Sequence, residues 1–474
     1  MQAETVYLFR HALMRDAAYQ LQLPGSRARL HGLALDIMED LAGRKPLVPP
    51  VPEGGFALLR HQARSLAVEM LVHAHALAQH RGSSQDLGRE LAYMVEAALY
   101  CDRAGDVPKS AELWNGVQRH HSAPADLRIE ATLEHAWELQ RLGKAQMALT
   151  QYNAALEGFQ RNGNANGQFR ARGYLSSLLS EMNEMEQARK LFEANFQTPI
   201  FATNMRARAS LLSNYGNHLR ATHRAKEAEH FLREAVALHQ QNGNTLQEWS
   251  DMNNLATVLR DLGRDTEAEA LYRASADASA AGGNRRSQAI ALSNLASLLQ
   301  YQGRVDEALA LFALALPLHE ESGNIRSFAI ALGNYGTLLC DLGKVDAAIQ
   351  PLKRAISLHH EVSNVRSLGF ALAWLSIAYA KKNEWSLARQ LLSDALAAHA
   401  KAGNARAAGL QLADFIALEL LQGDIAQARE HWRAAESLLR ACPDENALKA
   451  GWKIVCEACT RAGLPPLGEV AGPR

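Results

Sequence analysis

The residues best placed to do chemistry in this sequence are amides that recur every 40 positions. Asn214, Asn254, Asn294 and Asn334 form one series, with Trp374 next in it. Three residues further on runs a second polar series, Asn217, Thr257, Ser297 and Thr337. A carboxamide offers a donor and an acceptor, so it can hold a peptide backbone in either sense. One amide per structural unit could grip an extended segment without reading its side chains. The alternative is that each Asn braces its own unit through neighbouring backbone groups. Two polar series one turn apart on nearly the same helix face are harder to explain as packing.

Other series carry charge. Arg206, Arg286, Arg326, Arg366 and Arg406 could form an electropositive rim for acidic peptides or carboxylates. The plainer reading is inter-unit salt bridges or solvated side chains, since such pairs are common and weak. His239, His319, His359 and His399 recur as well. Units stacked roughly 10 Å apart hold them too far apart to share a metal ion, so they read as packing or solvent-edge histidines. They could also confer pH sensitivity near neutrality. His73 and His75, between His61 and His80, do not share a helix face and suggest no metal site. Cys456 and Cys459 are half of a metal clamp without a second pair, and read as small buried hydrophobes. No metal or other cofactor is expected.

Catalytic signatures are missing from the sequence: no G-x-S-x-G elbow, H-E-x-x-H helix or glycine-rich dinucleotide loop occurs. Asp251, Asp261, Glu267 and Glu269 are expected on solvated helix faces. The reading is of a binding protein rather than an enzyme.

These series follow from a repeat. Asn stands at 164, 204, 244, 284, 324, 364 and 404, and Ala at 148, 188, 228, 268, 308, 348, 388 and 428. A fixed period of this length signals a solenoid. Each unit holds two helical patterns, as in 246–261 and 265–281. Met252, Leu255, Ala256 and Leu259 share one face of the first; Ala268, Leu271, Tyr272 and Ser275 share one face of the second. The turn between them carries Gly143, Asn183, His223, Gly263, Gly303, Gly343, Asn383 and Gly423, types found in left-handed backbone. The Asn column is expected to cap the first helices. The Ala column should allow close helix crossing. Tyr152, Phe192, Leu232, Tyr272, Phe312, Leu352, Leu392 and Trp432, four residues later, should fill the space between units.

Leu255-Ala256, Leu259, Gly263, Ala268 and Tyr272, with their counterparts, give the chain a resemblance to the tetratricopeptide repeat (TPR) family. The unit is longer than that family's usual repeat. The "NNLA" of the first helix resembles the long-helix repeats of kinesin light chains and bacterial sensor proteins. The resemblance implies an all-α solenoid, a right-handed superhelix, with the Asn series facing its concave groove. In peptide-binding members of the family, Asn in this position holds the peptide backbone.

Along the chain, residues 1–43 contain Phe9-Arg10-His11-Ala12-Leu13, Arg15 to Tyr19 and Arg29-Leu30-His31. This segment resembles the end of the winged-helix region of bacterial STAND-type signalling ATPases. No G-x-x-x-x-G-K-[ST] loop occurs, so ATP hydrolysis does not carry over. Residues 44–55 read as a Pro/Gly-rich linker, and 56–126 as a helical region with a divergent first repeat over 88–120. Eight units are expected over 127–440, then a capping helix and disordered tail over 441–474.

With 50 basic and 50 acidic side chains the formal net charge is zero, and nothing argues for nucleic-acid binding. Hydrophobic residues make up 48% and aromatics only 6%, a balance that suits Ala/Leu-rich helices. Five cysteines make no disulfide framework, which suggests a reducing, cytoplasmic setting. No apolar run reaches a membrane span. The leading expectation is a non-catalytic module of a bacterial signalling or regulatory protein that binds a peptide or partner segment. The alternatives are the sensor half of a STAND-type ATPase or regulator, associated with an ATPase module outside this sequence, and a self-associating scaffold.

Overall fold

The computed structural model describes residues 24–42, 51–52, 55–56, 59, 63–81, 83–362, 364–442 and 446–467. Among them are 22 helices and no strand. In chain order these are α1 (Pro24–Leu41), α2 (Ala67–Arg81), α3 (Ser84–Ala104), α4 (Val107–Arg119), α5 (Ala125–Arg141), α6 (Ala145–Arg161) and α7 (Ala165–Glu181). Next come α8 (Met185–Phe196), the short α9 (Pro199–Thr203), α10 (Met205–Ala221), α11 (Ala225–Gln241), α12 (Thr245–Asp261), α13 (Asp265–Ala281) and α14 (Arg285–Tyr301). The rest are α15 (Val305–Glu321), α16 (Ile325–Asp341), α17 (Val345–Glu361), α18 (Val365–Lys381), α19 (Trp385–Lys401), α20 (Ala405–Gln422), α21 (Ile425–Arg440) and α22 (Ala447–Arg461). The chain divides into two compact units. One holds the residues up to 140 with 146–175 and 194–200; the other holds 141–145, 176–193 and the residues from 201 onward.

Helix pairs repeat because local chemistry repeats. The eight turn residues from Gly143 to Gly423 all have positive φ, including the non-glycines Asn183, His223 and Asn383 at 67°, 62° and 62°. Left-handed backbone there lets the chain reverse within three residues. Asn164, Asn204, Asn284, Asn324, Asn364 and Asn404 each accept the backbone N–H three residues on. Asn244 makes no such bond, so α12 starts without its side-chain cap.

The Ala column is fully buried from Ala148 to Ala428, and so is the large column four residues later. The two columns fit a third. A Cβ on Gly216 would come within 2.6 Å of Leu232 Cγ, and one on Gly336 within 2.6 Å of Leu352 Cγ. Where the large residue is the flat ring of Tyr272 or Phe312, the corresponding position is Ala256 or Ala296. In these two pairs the leucine Cγ sits against bare backbone, while a ring leaves room for a methyl; the match is not universal, since Ser376 stands opposite Leu392.

In the first unit, of the helical stretch expected from 56 the described residues show α2 over Ala67–Arg81. Phe56 is buried against Trp114, with ring centroids 5.4 Å apart. Arg64 is held by Glu96 through Nε at 2.6 Å and Nη2 at 2.7 Å. These anchors fix the chain before α2. The expected turn at Ala104-Gly105-Asp106 is present, with Gly105 at φ 84° and Asp106 capping α4. Residues 1–23, which carry most of the winged-helix-like segment, lie outside the described residues; Arg29-Leu30-His31 lies in α1. In the second unit Trp452 of α22 packs 5.1 Å from Trp432. Leu464 and Leu467 pack on the same core, so the chain is structured as far as 467 where its composition suggests disorder.

Candidate functional site

The first helices of the pairs in the second unit are α10, α12, α14, α16, α18 and α20. Each turns one stripe away from its core. On α16 the stripe is Arg326, Ile330, Asn334 and Thr337; on α14 it is Arg286, Ile290, Asn294 and Ser297. Spacings of four, four and three keep these residues on one helix face. The stripe on α16 is met by the end of a distant helix in the same unit. Glu181, the last residue of α7, forms an ion pair with Arg326 at the start of α16, 145 positions away.

The amide series lies half-buried on this face. Asn334 Nδ2 donates to Ser297 Oγ of the preceding helix pair at 3.0 Å. Among the described residues Asn214, Asn254 and Asn294 make no side-chain hydrogen bond. The second polar series is turned partly inward. Thr257, Ser297 and Thr337 each donate to the carbonyl four residues back, at 2.9, 2.9 and 3.0 Å. Thr257 Oγ1 also lies 2.8 Å from the Tyr272 hydroxyl. The amide series continues as Trp374 and Asp414, and burial, helped by Asp341, pushes the Asp414 carboxyl up to about 6.

A row that residue type alone did not flag stands between the arginines and the amides. It is Ile290, Ile330, Phe370 and Leu410, preceded in α10 and α12 by Ser210 and Ser250. Ile330 and Phe370 are 39% and 41% exposed, high for large apolar residues. The signal available was position: each stands four residues before the amide column.

The arginine series divides. Arg326 is taken by Glu181. Arg366 is exposed, and among the described residues no carboxylate lies within ion-pair distance of it. Desolvation lowers its pKa, and the Arg220 guanidinium lowers it further. Arg286 and Arg326 act in turn on the buried His319 and His359. A different arginine column joins successive helix pairs. Arg264 joins Glu267 of its own pair at 2.6 Å to Glu229 of the pair before at 2.7 Å. Arg304 repeats this with Glu307 and Glu269, both at 2.7 Å.

The histidine series is packing, not edge: His239, His319, His359 and His399 are at most 2% exposed. Burial drives the first three down to about 4 and lowers His399. Asp251, expected on a solvated face, is wholly buried instead. It accepts a hydrogen bond from Ser213 Oγ and lies 3.6 Å from His239 Nε2. His73 Nδ1 meets His31 Nδ1 at 2.7 Å, and His75 Nδ1 meets Glu90 at 2.5 Å. Cys459 is buried and Cys456 half-buried, with both thiols pushed up by burial. Among the described residues no group of three or more His, Cys, Asp or Glu could hold a metal ion. No helix there is long and apolar enough to cross a membrane.

Residues 207–281 and 248–321 match the family model for the tetratricopeptide repeat, and 300–382 match that for anaphase-promoting complex subunit 5. No curated protein matches the chain. Among solved structures, a Rap protein complexed with Competence and Sporulation Factor is 11% identical with a TM-score of 0.54, covering 74% of this chain and 100% of its own. The apo quorum sensor NprR from B. thuringiensis is 18% identical at 0.45, covering 70% and 98%. A Signal Transduction ATPase with Numerous Domains carrying a tetratricopeptide repeat sensor, from Pyrococcus horikoshii, is 13% identical at 0.44, covering 72% and 54%. At these identities the first likeness is one of fold. Residues 207–321 are thus tetratricopeptide repeats, and the 40-residue period and capped helix pairs carry the same type of fold through the second unit.

Proposed function

We propose that the second unit is a non-catalytic recognition module that takes an extended peptide, or an extended segment of a partner protein, along the stripes of its first helices. The observation that carries this is the amide series. Asn214, Asn254 and Asn294 recur on one face, half-buried, with no side-chain hydrogen bond among the described residues. A half-buried amide without an internal partner loses little when a peptide backbone arrives and gains two directed bonds. The bracing role first weighed against this suits Asn334, which bonds across to Ser297. Thr257, Ser297 and Thr337 serve mainly their own helices, and Asn217 extends the amide surface in α10. A Rap protein complexed with Competence and Sporulation Factor has a similar fold, which accords with such a use.

The test compares capture from a lysate of the source cells by wild type and by Asn254→Ala/Asn294→Ala. A partner held by wild type and released by the pair, with thermal unfolding unchanged, supports backbone capture. Identical captures would sink it, and a fall in Tm of several degrees would return both residues to a bracing role.

A further inference from the structure

We propose that the second unit closes on itself along a seam, and that this seam is the gate through which an extended segment reaches the stripes of the first helices. The seam sets Gly143 against Val362, Asn183 against Gly403 and Glu181 against Arg326. This rests on the peptide-binding reading and says how access to that site is controlled.

Residues 141–145 and 176–193 belong to the second unit, and they meet its far turns. A Cβ on Gly143 would lie 2.4 Å from Val362 Cα and 2.5 Å from its carbonyl oxygen, so the two backbones touch. One on Gly403 would lie 3.1 Å from Asn183 Nδ2. Gly143 and Asn183 are consecutive members of the left-handed turn column. Val362 and Gly403 lie in consecutive turns between helix pairs. The partners stand 219 and 220 positions apart, so one edge of the array meets the other twice in the same register, five and a half repeats on. Glu181, two residues before Asn183, adds the ion pair with Arg326. At the other glycines of the turn column, Gly263, Gly303, Gly343 and Gly423, a Cβ would meet nothing within 4 Å. Close approach is therefore a property of Gly143 and Asn183 and not of the turn as such.

The ion pair lies on the binding face. Arg326 heads the stripe that continues through Ile330 and Asn334, four residues apart on one side of α16. A segment laid along the amides as far as Asn334 must pass the end of α7, where Glu181 holds Arg326. The chemistry of the seam suits a closure that parts. Permanent joints in this chain are interlocked apolar side chains, as between the alanine and large columns. Here a bare glycine, one amide and one ion pair do the joining. Glu181 and Arg326 are each about a third exposed, so water and salt screen them, and such pairs contribute little. Elements held this lightly open far more readily than the fold around them.

The test uses the full chain with Asn294→Cys as a reporter on the stripe of α14. Its labelling by N-ethylmaleimide is compared with labelling by a maleimide that carries a long polyethylene glycol chain. Mass spectrometry reads the modification at position 294 alone, and the ratio of the bulky to the small rate measures how open the way in is. Gly143→Asn keeps a residue type that the same column holds in left-handed backbone at Asn183 and Asn383, but sets a side chain against Val362. It should raise the ratio about tenfold. Gly263→Asn, the same change where space is open, should leave the ratio as it was. Glu181→Arg should raise it severalfold, and Glu181→Arg/Arg326→Glu should restore it. An unchanged thermal unfolding midpoint in each variant separates opening from loss of fold. A ratio that is the same with and without Gly143→Asn and Glu181→Arg would overturn the gate and leave the peptide reading standing. A rise shared by Gly263→Asn would overturn it too, since the effect would belong to the turn. If labelling follows the seam while capture ignores Asn254→Ala/Asn294→Ala, the gate stands and the peptide reading falls.

Discussion

Asp251 is the most instructive single residue. Its carboxyl is buried, bonded by Ser213 Oγ and 3.6 Å from a histidine that burial keeps neutral. Burial pushes Asp251 up to about 7 from an ordinary 3.8, with the Ser213 bond opposing this only in part. The folded chain therefore keeps a proton that the unfolded chain gives up above pH 4. Stability from this group is fully present below pH 4 and is lost as pH rises through 7, a loss of about 4 kcal/mol. Asn has the same shape and no proton to lose. Asp251→Asn should raise Tm by several degrees at pH 8 and leave it unchanged near pH 4. If the substitution lowers Tm at pH 8, the carboxylate is ionised and paired with a charged His239. Taken alone, an aspartate belongs on the surface. Its column, Leu211, Ala291, Ala331, Ala371 and Gln411, is buried throughout, so position in the repeat was the better guide. The amides were legible for the same reason, because position and type agreed there. The ion pair of Glu181 with Arg326, 145 positions apart, was not legible, because no local pattern records which distant helix pairs face one another.

At the scale of the helix pair, the sequence was read well where one turn decides the structure. Left-handed residues, asparagine caps and the alanine column all act within a few positions; the first and last recur eight times and the caps six. The matching of Gly216 to Leu232 and Gly336 to Leu352 is a relation between the two helices of one pair, visible only once their faces meet. It makes a quantitative prediction. Gly336→Ala gains helix propensity of about 1 kcal/mol, yet its Cβ would lie 2.6 Å from Leu352 Cγ, which has no free side to move to in a buried column. Overpacking of this kind costs about 1–3 kcal/mol, so the single variant should be destabilised. Leu352→Phe in the wild-type background leaves a ring over a bare backbone. Together the two changes recreate the Ala296–Phe312 arrangement found one pair earlier. Denaturant unfolding of the four proteins should show a favourable coupling of at least about 1 kcal/mol. Additive effects would mean that the glycine is set by something other than the leucine.

Across the second unit as a whole, the histidine series turns a local packing choice into a shared response to acid. His239, His319, His359 and His399 close four second helices, each sealed from solvent. His319 Nε2 meets Ser293 Oγ at 3.0 Å and His399 Nε2 meets Gln411 Oε1 at 2.7 Å. Neither partner supplies negative charge, and Arg286, Arg326 and Arg366 oppose any added proton on His319, His359 and His399. Three of the four have folded values near 4 against 6.5 when unfolded. Their stabilisation is therefore present above pH 6.5 and lost as pH falls toward 4, by about 3 kcal/mol for each group. Asp251 gains over part of the same range and offsets one of the three. The remaining loss is comparable with the stability of a typical domain. The helical signal in circular dichroism should thus collapse between pH 6.5 and 4 rather than below it. His319→Gln and His359→Gln should each move the midpoint to lower pH, provided the neutral unfolding temperature shows that the amide packs in place of the ring. A chain that keeps its helices and its unfolding temperature down to pH 4 would mean that the interior admits water to these rings. The histidines would then be ordinary titrating groups, able to tune ligand binding near neutrality instead of setting the acid limit of the fold.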